Sequence, residues 1–245
     1  MQYSSADQGI SGPGELSLAV VIPVYNEEKN LGGLLRDWRA VLDATGAAYT
    51  IILIDDGSKD GSLRLLKGMQ EKDPRLDVHT QANAGHGPAI LKGYRLATAK
   101  AEWVFQIDSD HQLDESAFMT LWNNRERHDL LIGQRQNKNA SPARQVVSRL
   151  STVLVRVLVG RGVRDVNSPF RLMRASCLTG ALERIPADSF APNVLITSWF
   201  VRKKYRIFTT VVENRGEGQR VSRMSVYFLR GVLRSSIQTI LFRLK

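Results

Sequence analysis

Short apolar runs take turns with stretches of helical period through the first half of the chain, the pattern of a parallel sheet covered by helices. Leu16 to Pro23 reads as the first strand. Glu27 to Ala44 carries Leu31, Leu34, Leu35, Trp38, Val41 and Leu42 three and four residues apart, one face of a helix. Tyr49 to Ile54 is a second strand, closed by the turn Asp55-Asp56-Gly57-Ser58, and a helix is expected from Gly61 to Lys72. Leu76 to Gln81 is a third, weaker strand. The loop Asn83 to Gly87 then leads to a helix over Ala89 to Ala99. Trp103 to Ile107 is a strand that ends on Asp108-Ser109-Asp110. A helix near Glu115 to Arg127 and a strand over Asp129 to Gln134 follow.

Beyond Arg135 the alternation loosens. A polar loop through Asn137 to Pro142 precedes a helix over Ala143 to Gly160. Phe170 to Arg174 reads as a short strand, Ala175 to Glu183 and Val194 to Lys204 as helices, and Arg206 to Glu213 as a strand. With no repeat and no Pro- or Gly-rich linker, one domain over residues 16–221 is expected after a tail at 1–15. The last segment, 222–245, carries Val226, Leu229, Leu233, Ile237, Ile240 and Leu244 as one stripe flanked by Arg223, Arg230, Arg234 and Lys245. Such a helix suits an anionic membrane surface, its own domain, or a membrane-spanning partner protein.

At 43% hydrophobic and 24% charged residues, a disordered, collagenous or coiled-coil chain is excluded. The single cysteine, Cys177, excludes a disulfide-stapled scaffold and a cysteine zinc cluster, and fits a reducing compartment. Residues 1–15 lack the basic start and apolar run of a signal peptide. None of the apolar stretches reaches the roughly 18 uncharged residues of a membrane span. The net charge of +10 is uneven: 13 basic and 19 acidic residues in 1–134, 9 and 1 in 135–174, 11 and 2 in 202–245. An acidic front half can hold a cation, and a basic back half attracts a phosphate, a nucleic acid or an acidic membrane surface.

Three polar clusters sit at the C-terminal ends of predicted strands: Pro23 to Glu27, Asp55 to Ser58, and Asp108 to Gln112. Open α/β sheets bind their ligands at that edge. Asp108 and Asp110, one residue apart, can converge on a divalent cation, with Gln112 offering another oxygen. Mg²⁺ or Mn²⁺ favours hard oxygen ligands and shares its sphere with substrate phosphates. Taken singly, each cluster has a plainer role: Asp108 as a helix cap, Asp55-Asp56-Gly57 as a turn, and Gly85-His86-Gly87 as a glycine turn or an anion loop. His79, His111 and His128 have no zinc spacing.

In order and spacing, Val20-Val21-Ile22-Pro23-Val24-Tyr25-Asn26-Glu27, Ile54-Asp55-Asp56-Gly57-Ser58, Asn83-Ala84-Gly85-His86-Gly87-Pro88-Ala89 and Asp108-Ser109-Asp110 together resemble the family-2 glycosyltransferases of GT-A fold. Gly133-Gln134-Arg135 and Asp165-Val166-Asn167-Ser168-Pro169-Phe170-Arg171-Leu172 look like the dolichol-phosphate mannosyltransferase and bacterial polyprenyl-phosphate branch. The resemblance runs from about Leu16 to Met224. It implies an α/β fold with a Rossmann-like, mostly parallel sheet flanked by helices, residues 16–134 serving the nucleotide sugar and 135–221 the acceptor. It implies that Pro23, Tyr25, Glu27, Ile54, Asp56, Asp108, Ser109, Asp110 and Arg135 bind a UDP- or GDP-linked donor. Asp108, Asp110 and Gln112 would hold Mg²⁺ or Mn²⁺, and Asp108, Asp110, Arg135 and Asp165 would serve catalysis. Arg144, Arg149, Arg215, Arg220 and Arg223 would bind the phosphate of a polyprenyl acceptor. The implied reaction is inverting transfer of one sugar at the cytoplasmic face of the membrane by a peripherally bound protein, with no part for nucleic acid.

Two stretches depart from the family. Phe190-Ala191-Pro192-Asn193 has an asparagine where many relatives carry an acid, and the basic turn Arg215 to Met224 differs in length. A phosphate acceptor tolerates a missing base, because a phosphate monoester with a second pKa near ~6 is largely dianionic at neutral pH. Two other readings stay open: the same donor chemistry with a saccharide or other hydroxyl acceptor, and a non-catalytic basic module that binds a membrane or nucleic acid.

Overall fold

A computed structural model describes residues 16–110, 114–135, 163 and 165–213. The chain runs β1 (Leu16–Val24), α1 (Glu28–Asp43), β2 (Tyr49–Asp55), α2 (Ser62–Gln70), β3 (Leu76–Thr80), α3 (His86–Thr98) and β4 (Ala101–Gln106). It continues through α4 (Ala117–Asn124), a 3-10 turn (Arg125–Arg127), β5 (Leu130–Arg135), β6 (Arg171–Arg174), α5 (Ala175–Leu182), α6 (Pro192–Arg202) and β7 (Ile207–Val212). The tail 1–15, the helix expected over Ala143 to Gly160 and the basic helix at 222–245 lie outside the described residues.

One seven-stranded sheet has the order β3-β2-β1-β4-β6-β5-β7. The pairs β1·β2, β1·β4, β2·β3 and β5·β7 are parallel, whereas β6 runs antiparallel to both β4 and β5. From β1 the chain builds β2 and β3 on one side, then places β4 on the other. The direction of building therefore reverses between β1 and β4, and a crevice opens beyond their C-terminal ends.

Period-two alternation along β1 serves two cores at once. Leu18, Val20 and Ile22 pack with residues of α1, α2 and α4, while Ala19 and Val21 pack with α3, α5 and α6. A strand covered on both faces reads as a continuous apolar run, which is what Leu18 to Ile22 shows. Trp38 of α1 stands with its ring 5.2 Å from Phe105, 5.9 Å from Phe118 and 6.0 Å from Phe170, locking α1 onto β4 and α4. Each such aromatic pair adds about 0.5–1.5 kcal/mol beyond burial. On the opposite face a Cβ at Gly93 would lie 2.4 Å from Val21 Cγ1, so the glycine lets α3 lie close on β1.

Several helix boundaries differ from the sequence pattern. α3 starts at His86 rather than Ala89, because Gly85 turns the chain immediately before it at φ 95°. α6 starts at Pro192 rather than Val194, proline being suited to a first helical position where its missing N–H is not needed. The helix expected over Glu115 to Arg127 divides into α4 and the 3-10 turn.

Candidate functional site

The loops after β1 and β2 are knitted together. The Asn26 backbone N–H donates to Ser58 Oγ (3.0 Å), and Asn26 Oδ1 accepts from the Lys59 backbone (2.7 Å). Glu27 N donates to Ser62 Oγ (2.9 Å), and Gly61 N to Glu28 Oε2 (2.9 Å). Asn26 holds a left-handed φ of 57°, which asparagine tolerates better than most residues. This lattice leaves the Tyr25 ring outside, 43% exposed. The Glu27 carboxylate accepts from Asn30 Nδ2 at 2.6 Å.

Asp55 and Asp56 at the end of β2 are both buried, and their roles separate. Asp55 accepts from Ser58 N and Thr80 Oγ1 and so shapes its own turn. Asp56, 4% exposed, grips the next loop: Oδ1 accepts from Gln81 Nε2 (2.7 Å) and Ala84 N (2.9 Å), and Oδ2 from Gly85 N (2.8 Å). Three of the roughly four acceptor sites of a carboxylate are thereby taken. Asp56 thus holds the wall of the crevice in addition to lining it.

Two residues past β4 comes Asp108, whose Oδ1 accepts from Gln106 Nε2 (3.2 Å) and lies 3.4 Å from His86 Nε2. Its Oδ2 makes no hydrogen bond among the described residues. Behind it lies a buried polar cluster. Gln106 Oε1 accepts from Asn193 Nδ2 (2.8 Å) and lies 2.8 Å from the Tyr94 hydroxyl, which is itself 2.9 Å from Asn193 Oδ1. Burial pushes the Tyr94 phenol pKa up. The Asn193 carbonyl accepts from the fully buried Arg171, which also donates to the Ser168 and Val166 carbonyls and so ties α6 to the turn at 165–168.

These loops enclose a cavity of about 470 Å³ lined by Pro23, Val24, Tyr25, Glu27, Asp56, Asn83, Gly85, His86, Ala89, Asp108, Ser109 and Asp110. That volume lies in the range of small-molecule sites. Seven of the expected donor residues therefore come together. Ile54 does not join them: it is fully buried, and a Cβ on Gly93 of α3 would lie 3.3 Å from its Cγ1, which puts its side chain under α3. Asp165 opens the 165–168 turn and does not line the cavity. Arg135 closes β5, its backbone paired with Val212. Gln112, Arg144, Arg149, Arg215, Arg220 and Arg223 lie outside the described residues. Gln106, Tyr94, Gln81 and the α3 placement of His86 were missed in the sequence. Gln106 carried one signal, a polar residue within an apolar strand.

Glu27, Asp56, Asp108 and Asp110 line the cavity, and among the described residues no lysine or arginine does. An acidic lining repels a diphosphate unless a cation accompanies it. No group of three His, Cys, Asp or Glu side chains able to hold a metal occurs among the described residues. The donor set accordingly fits a hard divalent cation that completes its shell with substrate phosphates and water, as Mg²⁺ commonly does, rather than an all-protein cage.

Solved structures share this architecture. Glucosyl-3-phosphoglycerate synthase from Mycobacterium tuberculosis, crystallised with Mn²⁺ and UDP-glucose, aligns over 93% of this chain and 79% of its own at a TM-score of 0.64 and 19% identity. S. aureus TarS 1-349 in complex with UDP-GlcNAc aligns over 92% of this chain and 67% of its own at a TM-score of 0.62 and 20% identity. Both show the GT-A fold expected from the sequence. Among curated proteins, the undecaprenyl-phosphate 4-deoxy-4-formamido-L-arabinose transferase of Pseudomonas paraeruginosa is 31% identical over 188 residues, 76% of this chain and 54% of that protein. The transferase of the same name from Edwardsiella ictaluri is 29% identical over 193 residues, 78% of this chain and 58% of that protein. The chain thus spans a little over half the length of these relatives. The family model described as Glycosyl transferase family 2 matches residues 19–180, and this chain belongs to that family.

Proposed function

We propose that this chain moves one sugar from a nucleotide-diphosphate sugar to a polyprenyl phosphate, with inversion and with Mg²⁺ or Mn²⁺ bound, at the cytoplasmic face of a membrane. The observation that carries the reading is the acidic cavity at the β1/β4 switch point, with Asp108 and Asp110 at its edge and no cationic side chain in its described lining. The named activity of the undecaprenyl-phosphate transferases supports the acceptor class. The UDP and Mn²⁺ in the structural neighbours support the donor class and the cation.

Pro23, Tyr25 and Glu27 bind the nucleoside, the Tyr25 ring offering an exposed face to the base. Asp56 fixes the loop over Asn83 to Gly85, which closes the cavity beside it. Asp108 and Asp110, with Gln112, hold the cation. The bound cation supplies Lewis-acid charge against the departing diphosphate. Asn193 lies buried among Tyr94 and Gln106 and offers no base to an acceptor, in keeping with an acceptor that needs no deprotonation. Arg135 adds a fixed positive charge at the donor diphosphate, and Arg144, Arg149, Arg215, Arg220 and Arg223 counter the repulsion between two anionic substrates, with Asp165 orienting one of them. No helix among the described residues is long and apolar enough to cross a membrane, and the basic segment 222–245 supplies the surface contact.

Purified protein given labelled nucleotide sugars and polyprenyl phosphate should form a labelled, organic-extractable lipid. A chelator or Asp110→Asn should abolish it. Full activity in Asp110→Asn would refute the cation assignment, and label in a water-soluble saccharide would refute the acceptor.

A further inference from the structure

We infer that Asn193, on α6, is a positioning residue for the cation site: it fixes the direction of the Gln106 side-chain amide, and that amide holds Asp108. The inference rests on the proposed role of Asp108 as a cation ligand.

Donors and acceptors decide how the Gln106 amide faces. An ionised carboxylate only accepts, so the Gln106 group facing Asp108 Oδ1 at 3.2 Å must be the NH₂. The other end of the amide, Oε1, then points into the interior and needs donors. Two face it, Asn193 Nδ2 at 2.8 Å and the Tyr94 hydroxyl at 2.8 Å. Tyr94 has a single proton, which lies between Gln106 Oε1 and Asn193 Oδ1. Asn193 Nδ2 is therefore the donor that commits the amide to one orientation. Gln106 and Tyr94 are fully buried and Asn193 is 3% exposed, so water does not readily replace a missing partner. Amide orientation in such a cluster follows from its hydrogen-bond partners, and here Asp108 anchors the chain of donation at one end.

Asn193 is itself well seated. Its carbonyl accepts from Thr197 Oγ1 (2.8 Å) and from Arg171 Nη1 (3.1 Å). The side chain is held by the start of α6, and the same residue joins the cavity's acidic edge to the turn at 165–168.

An acid at this position has the same size and the wrong polarity. In Asn193→Asp the introduced carboxylate cannot donate to Gln106 Oε1. The amide then turns to donate inward and presents its carbonyl oxygen to Asp108, pushing that side chain off its position. Outer partners of metal ligands typically set 10–100-fold in metal affinity.

The test is a Mn²⁺ titration of the full chain with saturating UDP or GDP present, followed by intrinsic fluorescence and by paramagnetic resonance of free Mn²⁺, with the melting temperature of the metal-free protein as the check on folding. Asn193→Asp should weaken Mn²⁺ binding at least about tenfold. Sugar transfer by this variant should recover as Mn²⁺ is raised, which general loss of structure would not allow. In a Gln106→Leu background, itself weakened for Mn²⁺, Asn193→Asp should bring no further loss, because the two act in series. If Asn193→Asp does not fold, Gln106→Leu and Tyr94→Phe decide, the former giving the full loss and the latter a smaller one. Folded variants that bind Mn²⁺ as the wild type does would overturn the positioning role and leave the proposed function standing. A wild-type chain that binds no Mn²⁺ even with the nucleoside diphosphate present would overturn the cation site itself.

Discussion

Asp56→Asn changes one atom's chemistry and leaves shape almost untouched. The wild-type carboxylate accepts three hydrogen bonds, two at Oδ1 and one at Oδ2, all from residues 81–85. An asparagine keeps a single acceptor oxygen. Its least costly orientation leaves that oxygen where Oδ1 stands, retaining Gln81 Nε2 and Ala84 N, and sets its NH₂ against the Gly85 N–H. One hydrogen bond to a charged group contributes about 1.5–3 kcal/mol, and the two retained bonds weaken once the charge is gone. The loop should therefore lose about 2–4 kcal/mol of local stability, of which 2 kcal/mol corresponds to a ~30-fold rise in its open population. Amide hydrogen exchange reads this directly: Ala84 and Gly85 should exchange at least ~30-fold faster, while Leu53 and Val104 in the core strands stay protected. Nucleoside-diphosphate affinity should fall with it, because the same loop walls the cavity. Unchanged exchange at Ala84 and Gly85 would refute the reading of Asp56 as the anchor of that loop, whatever happened to activity.

Other consequences are equally open to measurement. A Cβ at Gly87 would stand 2.0 Å from the Ser189 carbonyl oxygen, a backbone atom, so Gly87→Ala should destabilise the fold by about 1–3 kcal/mol and lower the thermal midpoint by several degrees. The hydrogen bond from Arg206 holds the Asp129 carboxyl below its usual range. A carboxylate depressed in the folded state stabilises fully above the unfolded pKa near ~4 and loses that contribution as pH falls through the lower folded value. Asp129→Asn should therefore flatten the acid limb of urea-unfolding stability, and an unchanged slope would remove the pair from the account. Burial pushes the Cys177 thiol pKa up, so native protein should alkylate slowly and urea-unfolded protein fast, the single cysteine giving a clean opening rate.

Seen from the residues, the strands were legible because burial on both faces writes itself as unbroken apolar runs. Leu18 to Ile22 and Ile51 to Ile54 are such runs, and every residue of both is buried within the sheet. The order β1-α1-β2-α2-β3-α3-β4 followed from alternation. The antiparallel insertion of β6 between β4 and β5 did not, since pairing partners distant in sequence leave no local mark on either strand. The acidic cluster around Asp108 and Asp110 was readable for the same reason as the strands: residues close in sequence at a strand end must be close in space.

What the chain's order alone determined is thus local, namely which runs are strands, which faces are apolar, and which carboxylates crowd one edge. Tertiary structure decided the rest. Asp56 and Gly85 meet across 29 positions of sequence, and Asn193 meets Gln106 across 87, so no window along the chain could have joined them. Hydrogen bonding in a buried cluster is directional and is resolved only when every partner is in place. The polarity of Gln106, and with it the placing of Asp108, therefore belongs to the assembled fold rather than to any stretch of the sequence.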